Sequence, residues 1–375
     1  MKKLFLIIYA FSCIVFSANA QHARKGEING VAPQGSYLPS YRSDGKHTKV
    51  NNVILLIGDG MGLSHVSSAM YANGGELTIT NLKATGYVRT QSASDFTTDS
   101  AASGTAYATG TKTRNGALGV DMDGNAVENI AEILSKKGYS TGVLTTDFLD
   151  GATPAAFFAH QGKRGSSHAI WSELAESSLN FVSGGCRDAV EALPDSIRSA
   201  IYNYFDGIYG LDAVPVTDRL LYLPTREESG PIANPERKDW LPATAGFAID
   251  WLHAKKGKGF FLMVEGARID KSSHSNDYPN TVLETLDFDK AVEAAVRFAD
   301  KDGHTLVIVT ADHETGSLTL RGGDPSKGDV TGVFSSGGHS PVMVPLFAYG
   351  PWSDMFCGVY ENSDVFLKIR SLLVK

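Results

Sequence analysis

Five short apolar runs recur along the chain from Asn52 onward, and each of them ends in glycine or polar residues. Apolar runs of this length without alternation are typical of strands that are buried on both faces, as in largely parallel sheets. The pattern therefore predicts a parallel sheet whose strands are Val53–Ile57, Gly142–Leu144, Phe260–Val264, Leu306–Val309 and Val344–Tyr349.

Segments with helical character lie between these runs. The pattern predicts helices over Ser100–Thr109, Val127–Lys137, Ala243–Ala254 and Leu283–Asp300. Strands that alternate with helices along a chain indicate an α/β fold.

The two ends of this α/β region differ from it in composition. Residues 1–20 have the basic start, the apolar run and the Ala18-Asn19-Ala20 end of a signal peptide. A membrane anchor is the competing interpretation, although the run is short for a spanning helix. Residues 21–51 are predicted to form a loosely held N-terminal extension of a domain over 52–375. Residues 187–240 are rich in proline and aromatic residues and are predicted to form an insertion, with an ordinary long connection as the alternative.

Composition narrows the class of protein. The chain has 375 residues, of which 42% are hydrophobic, and a formal charge of −7, which argues against a nucleic-acid partner. After signal cleavage no long apolar stretch remains, so an exported protein without a membrane anchor is expected, in a periplasm or secreted. Only Cys186 and Cys357 would remain, and the sequence leaves open whether they pair.

Acidic and imidazole side chains follow the predicted strands. Ligands of open α/β sheets bind at the carboxyl ends of strands, and Asp, Glu and His without Cys form the ligand set of a hydrolytic zinc site with harder oxygen ligands for magnesium. Any one of these residues alone is more often structural, but the recurrence at strand ends points to a metal centre. The candidates are Asp59, Glu265, Asp270, His274, Asp312, His313 and His339.

Ser100 is the candidate nucleophile, at the predicted start of a helix in Thr97-Thr98-Asp99-Ser100. A serine there is most often an N-cap, but a helix N-terminus also stabilises a phosphoryl group. Thr153 is held extended before Pro154 at another helix entry, and Arg164 carries the planar guanidinium that suits two phosphate oxygens. No Gly-x-Ser-x-Gly motif is present, which disfavours an α/β-hydrolase triad.

Six segments in this order resemble the alkaline phosphatase family. They are "IGDGMG", "TDSAAS" with its continuation "ATGTKTRNGALGVD", "ATPAAFFAH…R", "EGARIDKSSH", "VTADHETG" and "GGHS". The resemblance implies a three-layer sandwich with a large, mostly parallel central sheet, and hydrolysis of phosphate monoesters through a phosphoserine. Members of the family are often homodimers, and the sequence shows no interface signature of its own.

Carried over to this sequence, the resemblance implies two zinc ions and one magnesium ion. Ser100 would be the nucleophile, Arg164 would bind the phosphate, and Lys271 matches the lysine that bacterial members place near it. The implied ligands are Asp270, His274 and His339 for one zinc; Asp59, Asp312, His313 and Ser100 for the other; and Asp59, Thr153 and Glu265 for magnesium.

One position departs from the family. Bacterial and animal members usually have Asp, Glu or His two residues before the threonine or serine of the magnesium site, and this chain has Gly151. The glycine predicts weak magnesium binding and a Lys271 without a carboxylate partner. Asp150 is adjacent, but it is expected to point elsewhere.

Two rivals compete with the monoesterase interpretation. A phosphodiesterase or a mutase on the same fold would share the metal ligands, but those relatives do not resemble "TDSAAS" followed by "ATPAAF…R". A non-catalytic binder would be expected to have lost Ser100 or Arg164, and both are present.

Overall fold

The computed structural model describes residues 23–185, 190–191, 193–198, 203–206, 217–225 and 228–374. The predicted signal peptide and Cys186 lie outside these residues. Cys357 is exposed and forms no disulfide with any of the described residues.

A ten-stranded mixed sheet forms the centre of the fold. Its order is β15-β3-β14-β9-β2-β8-β4-β5-β7-β6, and a three-stranded sheet β1-β12-β11 and a two-stranded ribbon β10-β13 lie outside it. The strands are β1 Arg24–Ile28, β2 Asn52–Gly58, β3 Ala84–Arg89, β4 Ser140–Thr145, β5 Phe181–Ser183, β6 Asn203–Asp206, β7 Leu220–Leu223, β8 Phe260–Gly266, β9 Thr305–Thr310, β10 Glu314–Thr315, β11 Leu318–Asp324, β12 Asp329–Phe334, β13 His339–Ser340, β14 Val344–Tyr349 and β15 Gly358–Glu361.

The five predicted strands are all present as β2, β4, β8, β9 and β14, and they occupy the middle of the sheet. Strands β2, β4, β8 and β9 are parallel to their neighbours among themselves, whereas β14 runs antiparallel to both β3 and β9. Every residue of these five strands is buried, which is why each reads as an unbroken apolar run. The α/β fold class is confirmed.

Helices cover both faces of the sheet. Because adjacent side chains of a strand point to opposite faces, neighbouring residues of β8 contact the layers on the two sides of the sheet. Phe261 stacks on Phe157, whereas Phe260 packs on Phe298. The helices are α1 Leu63–Ala72, α2 Ser100–Thr109, α3 Ile130–Lys136, α4 Ala152–Ala155, α5 Ser167–Glu176, α6 Asp195–Arg198, α7 Trp240–His253, α8 Arg268–His274, α9 Tyr278–Asp302 and α10 Asn362–Leu373.

The predicted helices are found with different ends. Helix α2 has the predicted bounds, whereas α3 begins three residues later because Asn129 and Glu132 form a capping box. Helix α9 is longer than predicted, because Pro279 lies in its first turn, where a missing N–H costs no hydrogen bond. Among the described residues no helix is long and apolar enough to cross a membrane.

The N-terminal segment packs on the domain, so the expectation that it is loosely held is wrong. Strand β1 pairs antiparallel with β12. Further along, Asp300 of α9 accepts hydrogen bonds from the hydroxyls of Tyr37 (2.7 Å) and Ser40 (2.5 Å). Polar residues suggested a loose segment, but their hydrogen bonds to buried elements hold it in place.

Strand β7 and the end strand β6 fall within 187–240, the region predicted as an insertion, and extend the central sheet beyond β5. At the other end of the region, Arg237 is fully buried and its Nη2 lies 2.6 Å from Asp287 Oδ2 on α9. The described parts of this region are therefore joined both to the sheet and to a helix that covers it.

Candidate active site

The register of three central strands brings the predicted acids together. Ile57 of β2 is paired with Glu265 of β8 on one side and with Thr310 of β9 on the other. Asp59 lies two residues beyond Ile57 of β2, and Asp312 lies two residues beyond Thr310 of β9. Both acids are therefore at the same edge of the sheet. This is the carboxyl edge, where open α/β sheets bind ligands.

Asp59, Asp312 and His313 form one group of potential metal ligands, with one donor atom of each within 4.8 Å of the others. His313 Nε2 lies 3.2 Å from Asp312 Oδ2 and 3.5 Å from Asp59 Oδ1. Asp59 Oδ1 and Asp312 Oδ2 are buried and have no hydrogen-bond partner among the described residues. Buried carboxylate oxygens without donors fit a cation.

The charges at this site point the same way. Burial, followed by the charges of Asp312 and Asp270, raises the pKa of Asp59 well above its usual value. Burial lowers the pKa of His313 and so favours the neutral imidazole that ligates metals. A bound cation would relieve the repulsion between the acids.

Asp270, His274 and His339 form the adjoining group. Asp270 and His274 share one face of the short helix α8, and His274 Nε2 lies 3.3 Å from Asp270 Oδ2 and 3.1 Å from His339 Nε2. The Nδ1 atoms donate to backbone carbonyls, from His274 to Gly337 (2.7 Å) and from His339 to Thr98 (3.0 Å). In the neutral rings the two Nε2 lone pairs then face one another beside a carboxylate, which fits a zinc ion.

The two groups are contiguous. The His313 and His339 rings stack with centroids 3.5 Å apart, and His313, His339 and Asp270 each have a ligand atom within 4.8 Å of the others, close enough to hold one metal ion. Without a cation, the hydrogen bond to Asp270 raises the pKa of His274 to about 9. A metal ion would therefore displace a proton when it binds there.

Glu265 and Thr153 are the two residues predicted to bind magnesium together with Asp59, and Glu265 is near enough for its charge to raise the pKa of Asp59. Both side chains are buried. Thr153 lies within helix α4, so the expectation that it is extended is wrong. Burial raises the pKa of Glu265 to about 8, and Asp147 is the nearby charge that adds most to this rise. Oxygen ligands in a buried acidic pocket suit magnesium.

Ser100 is the first residue of helix α2 and faces the metal-ligand groups. Its Oγ lies 3.2 Å from His313 Nε2. Asp99, and not Ser100, is the N-cap, because Asp99 Oδ1 accepts from the backbone N–H of Ala102 (3.0 Å). The serine hydroxyl is therefore not used as a cap and lies at the positive end of the helix dipole.

Arg164 reaches this helix start from the loop that precedes α5. Its Nη1 lies 3.2 Å from Asp99 Oδ2, and the side chain is 44% exposed. Its backbone N–H donates to the carbonyl of Gly116 (2.6 Å), which fixes the loop. The guanidinium thus stands at the open side of the site with donors left for a ligand.

Lys271 has a carboxylate partner, so the expectation that it lacks one is wrong. Its Nζ forms an ion pair with Oδ1 of Asp147, on the loop after β4. Asp150 points elsewhere, as expected, and accepts a hydrogen bond from Ser167. The partner of Lys271 is thus not the acid adjacent to Gly151 but Asp147, three residues before Asp150, which the turn after β4 directs towards α8.

Two further residues that sequence reasoning missed support the ligands. Thr315 Oγ1 donates to Asp270 Oδ1 (2.5 Å) and lies 3.3 Å from His313 Nδ1. Asp99 holds both the start of α2 and Arg164. The sequence could have pointed to both residues, because Asp99 lies in the motif "TDSAAS" and Thr315 lies in the motif "VTADHETG".

The fold and the geometry together define a hydrolase-like α/β protein with a carboxylate and imidazole centre at the carboxyl edge of its sheet. The family model "Alkaline phosphatase" matches residues 50–197 and 234–328. Among curated proteins, "Alkaline phosphatase 4" of Bacillus subtilis is 33% identical over 85% of this chain and 73% of its own length. The alkaline phosphatase of Escherichia coli is 31% identical over 90% of this chain and 89% of its own length.

Solved structures agree. The alkaline phosphatase of the Antarctic bacterium TAB5 is 36% identical, covers 87% of this chain and 99% of its own, and superposes with a TM-score of 0.81. A variant of the TAB5 enzyme, which is 35% identical and has the same TM-score, has magnesium bound in its M3 site. The chain belongs to the alkaline phosphatase family, a family of phosphate monoester hydrolases.

Proposed function

We propose that this protein hydrolyses phosphate monoesters through a phosphoserine at Ser100, at a centre of two zinc ions and one magnesium ion. The observation that carries the proposal is the convergence of two groups of metal-ligand side chains on the hydroxyl of Ser100, with Arg164 at the open side. One carboxylate oxygen of Asp59 and one of Asp312 are buried without a hydrogen-bond partner among the described residues, which favours a metal-binding role for these two acids.

Following the pattern of the family, we assign the donors to three sets. One zinc would be held by Asp270, His274 and His339, the other by Asp59, Asp312 and His313 together with Ser100, and magnesium by Asp59, Thr153 and Glu265. When bound, these ions would neutralise the charge of the phosphate and lower the pKa of the Ser100 hydroxyl.

The chain's own residues account for the rest of the reaction. The Ser100 hydroxyl gives up its proton to solvent and Oγ attacks phosphorus; a new P–O bond forms as the ester P–O bond breaks, and the leaving alkoxide takes up a proton from water to become the alcohol. Water then hydrolyses the phosphoserine and restores the hydroxyl. Arg164 binds two non-bridging oxygens throughout, because its planar fork matches their spacing.

Asp99 would serve this reaction indirectly. It caps α2 and so fixes the direction of Ser100, and its second oxygen holds Arg164. A single carboxylate thereby sets the nucleophile and the phosphate-binding cation relative to each other. Lys271 would add a further positive charge near the phosphate.

The proposal is tested by metal analysis of the purified protein together with rates on a nitrophenyl monoester and the matching diester. Two zinc ions per chain and strong preference for the monoester are expected. Diester preference, or full activity after removal of zinc, would contradict it.

We further propose that the chain is exported. Support comes from residues 1–20, whose basic, apolar and Ala-Asn-Ala parts follow the order of a signal peptide. N-terminal sequencing of the protein recovered from the periplasm or the medium should then begin at Gln21.

A further inference from the structure

We propose that Asp147, on the loop after β4, is a positioning residue of the magnesium site. It would supply the negative charge that a carboxylate at position 151 provides in other members of the family and that Gly151 cannot provide. The inference rests on the proposed function, because it assumes that magnesium binds at Asp59, Thr153 and Glu265. It assigns a role to a residue that lies outside every motif considered above.

The space beside Gly151 is the first observation. A Cβ atom at Gly151 would lie 3.2 Å from Asp147 Oδ2 and 2.8 Å from the carbonyl oxygen of Phe148. The carboxylate of Asp147 therefore lies beside the point where a side chain at position 151 would begin. A side chain there would also crowd the Phe148 carbonyl, which accepts from Gly151 N–H (2.9 Å).

The backbone of Asp147 is fixed against the strands that carry the site. Its N–H donates to Thr145 Oγ1 (2.9 Å), and the same hydroxyl donates to Glu265 Oε2. Its carbonyl accepts from Gly185 N–H, which ties the loop to β5. Asp147 and the magnesium ligand Glu265 thus share Thr145 as a common neighbour.

The side chain of Asp147 connects this point to Lys271. Its Oδ1 pairs with Lys271 Nζ, and the Asp147 side chain is only 22% exposed whereas the lysine is 42% exposed. One oxygen of the carboxylate is on the lysine and the other lies beside Gly151, and the charge of Asp147 is near enough to raise the pKa of Glu265. This arrangement gives the carboxylate two effects: it adds negative charge and an acceptor for metal-bound water, and it restrains Lys271.

The expected size of the first effect follows from metal sites in general. Partners that surround metal ligands change affinity by about 10- to 100-fold when they are removed. Asp147→Asn keeps the shape of the side chain and removes its charge, so we expect magnesium to bind about 10- to 100-fold more weakly while zinc content is unchanged. Asp147→Glu should restore part of this loss. Asp150→Asn is the matched control, because it removes the same charge three residues away and should leave magnesium affinity as in the wild type.

The second effect is separable by a double-mutant cycle with Lys271→Met. At saturating magnesium, Asp147→Asn should strengthen the binding of inorganic phosphate, since Lys271 is then no longer neutralised. In the Lys271→Met background this gain should shrink or disappear. Equal gains in both backgrounds would show that Asp147 does not act through the lysine.

The deciding experiment is calorimetric titration of magnesium into the zinc-loaded proteins, which needs no turnover. A weaker magnesium affinity in Asp147→Asn, with partial recovery in Asp147→Glu and none of the loss in Asp150→Asn, supports the proposal. Unchanged affinity in Asp147→Asn, or the same loss in Asp150→Asn, overturns it. If the wild type instead binds no zinc or forms no phosphoserine, the proposed function itself fails, and the two failures are distinguished by zinc analysis of the same samples.

Discussion

Arg164 Nη1 and Asp99 Oδ2 lie 3.2 Å apart at the start of helix α2, one residue before Ser100. The pair joins the guanidinium that would bind phosphate to the residue that caps the nucleophile's helix. Because Asp99 uses its other oxygen for the cap, one side chain fixes both groups. The nucleophile and the phosphate-binding guanidinium are therefore held in a fixed relative position before any substrate binds.

Arg164 is expected to act on phosphate and not on the leaving group. Charge-assisted hydrogen bonds contribute about 1.5–3 kcal/mol each, so Arg164→Ala should weaken inhibition by inorganic phosphate by about 10- to 100-fold. The value of kcat/KM should fall by a similar factor for several monoesters. Inhibition constants and rates for esters of different leaving groups measure this, with the exposed neighbour Lys163→Ala as the control. An effect confined to one leaving group would instead place Arg164 in a specificity pocket.

Asp99 has two functions that different substitutions separate. Asn is as good an N-cap as Asp, so Asp99→Asn should keep stability but loosen Arg164 and weaken phosphate binding. Asp99→Ala should do the same and also cost about 1 kcal/mol of stability through the lost cap. Thermal unfolding and phosphate inhibition of the two variants measure the two effects. Equal stability of both would show that the cap contributes nothing.

The first zinc set predicts a specific change in metal content. Replacing His274 or His339 by Ala removes one of the three protein ligands assigned to this ion and should remove close to one zinc per chain, because structural and catalytic zinc sites need at least three protein ligands. Metal analysis by mass spectrometry counts the ions. His168→Ala, an exposed histidine without a ligand role, should keep the wild-type content. Loss of both ions in His168→Ala, or of none in the ligand variants, contradicts the assignment.

His160 predicts a pH-dependent contribution to stability. Its ring nitrogens lie 3.4 Å from Glu173 Oε2 and 3.5 Å from Glu132 Oε2. The hydrogen bonds to Glu132 and Glu173 raise the pKa of His160 to about 10. Since the folded pKa is above the unfolded value of about 6.5, the stabilisation is fully present below that pH and is lost as pH rises through about 10.

His160→Gln should therefore lower Tm by a few degrees at pH 6 and by much less above pH 10. Thermal unfolding across this range, with the exposed His168→Gln as the control, measures the difference. A constant difference across the range would mean that His160 contributes by packing and not by charge.

The central strands were predictable because burial on both faces leaves an unbroken apolar run, as in β2 and β8. Strand β3 was missed because its inward positions Ala84 and Gly86 are small and alternate with exposed residues, which leaves little apolar signal. Helix α1 was missed for a related reason, since serines occupy several of its positions and Leu63 is exposed.

The residues of the two candidate metal-ligand groups could be picked out from the sequence because each lies beside a strand end or within a motif of the family. The partner of Lys271 was not, because the pair Asp147 and Lys271 is separated by more than a hundred residues and depends on how one turn is folded. From the sequence, Gly151 indicated only that a side chain is missing at that position. Which carboxylate lies there instead depends on how the turn after β4 folds, and the motif carries no information about that.

The central claim is that phosphate passes through Ser100, and the most direct measurement is localisation of the phosphoryl group in acid-quenched enzyme. Protein incubated with labelled phosphate at low pH, or quenched during turnover, would be digested and its peptides analysed by mass spectrometry. The account predicts one phosphorylated peptide with the group on Ser100, and no trapped phosphoenzyme in Ser100→Ala. A label on another residue, or the same label in Ser100→Ala, would contradict it.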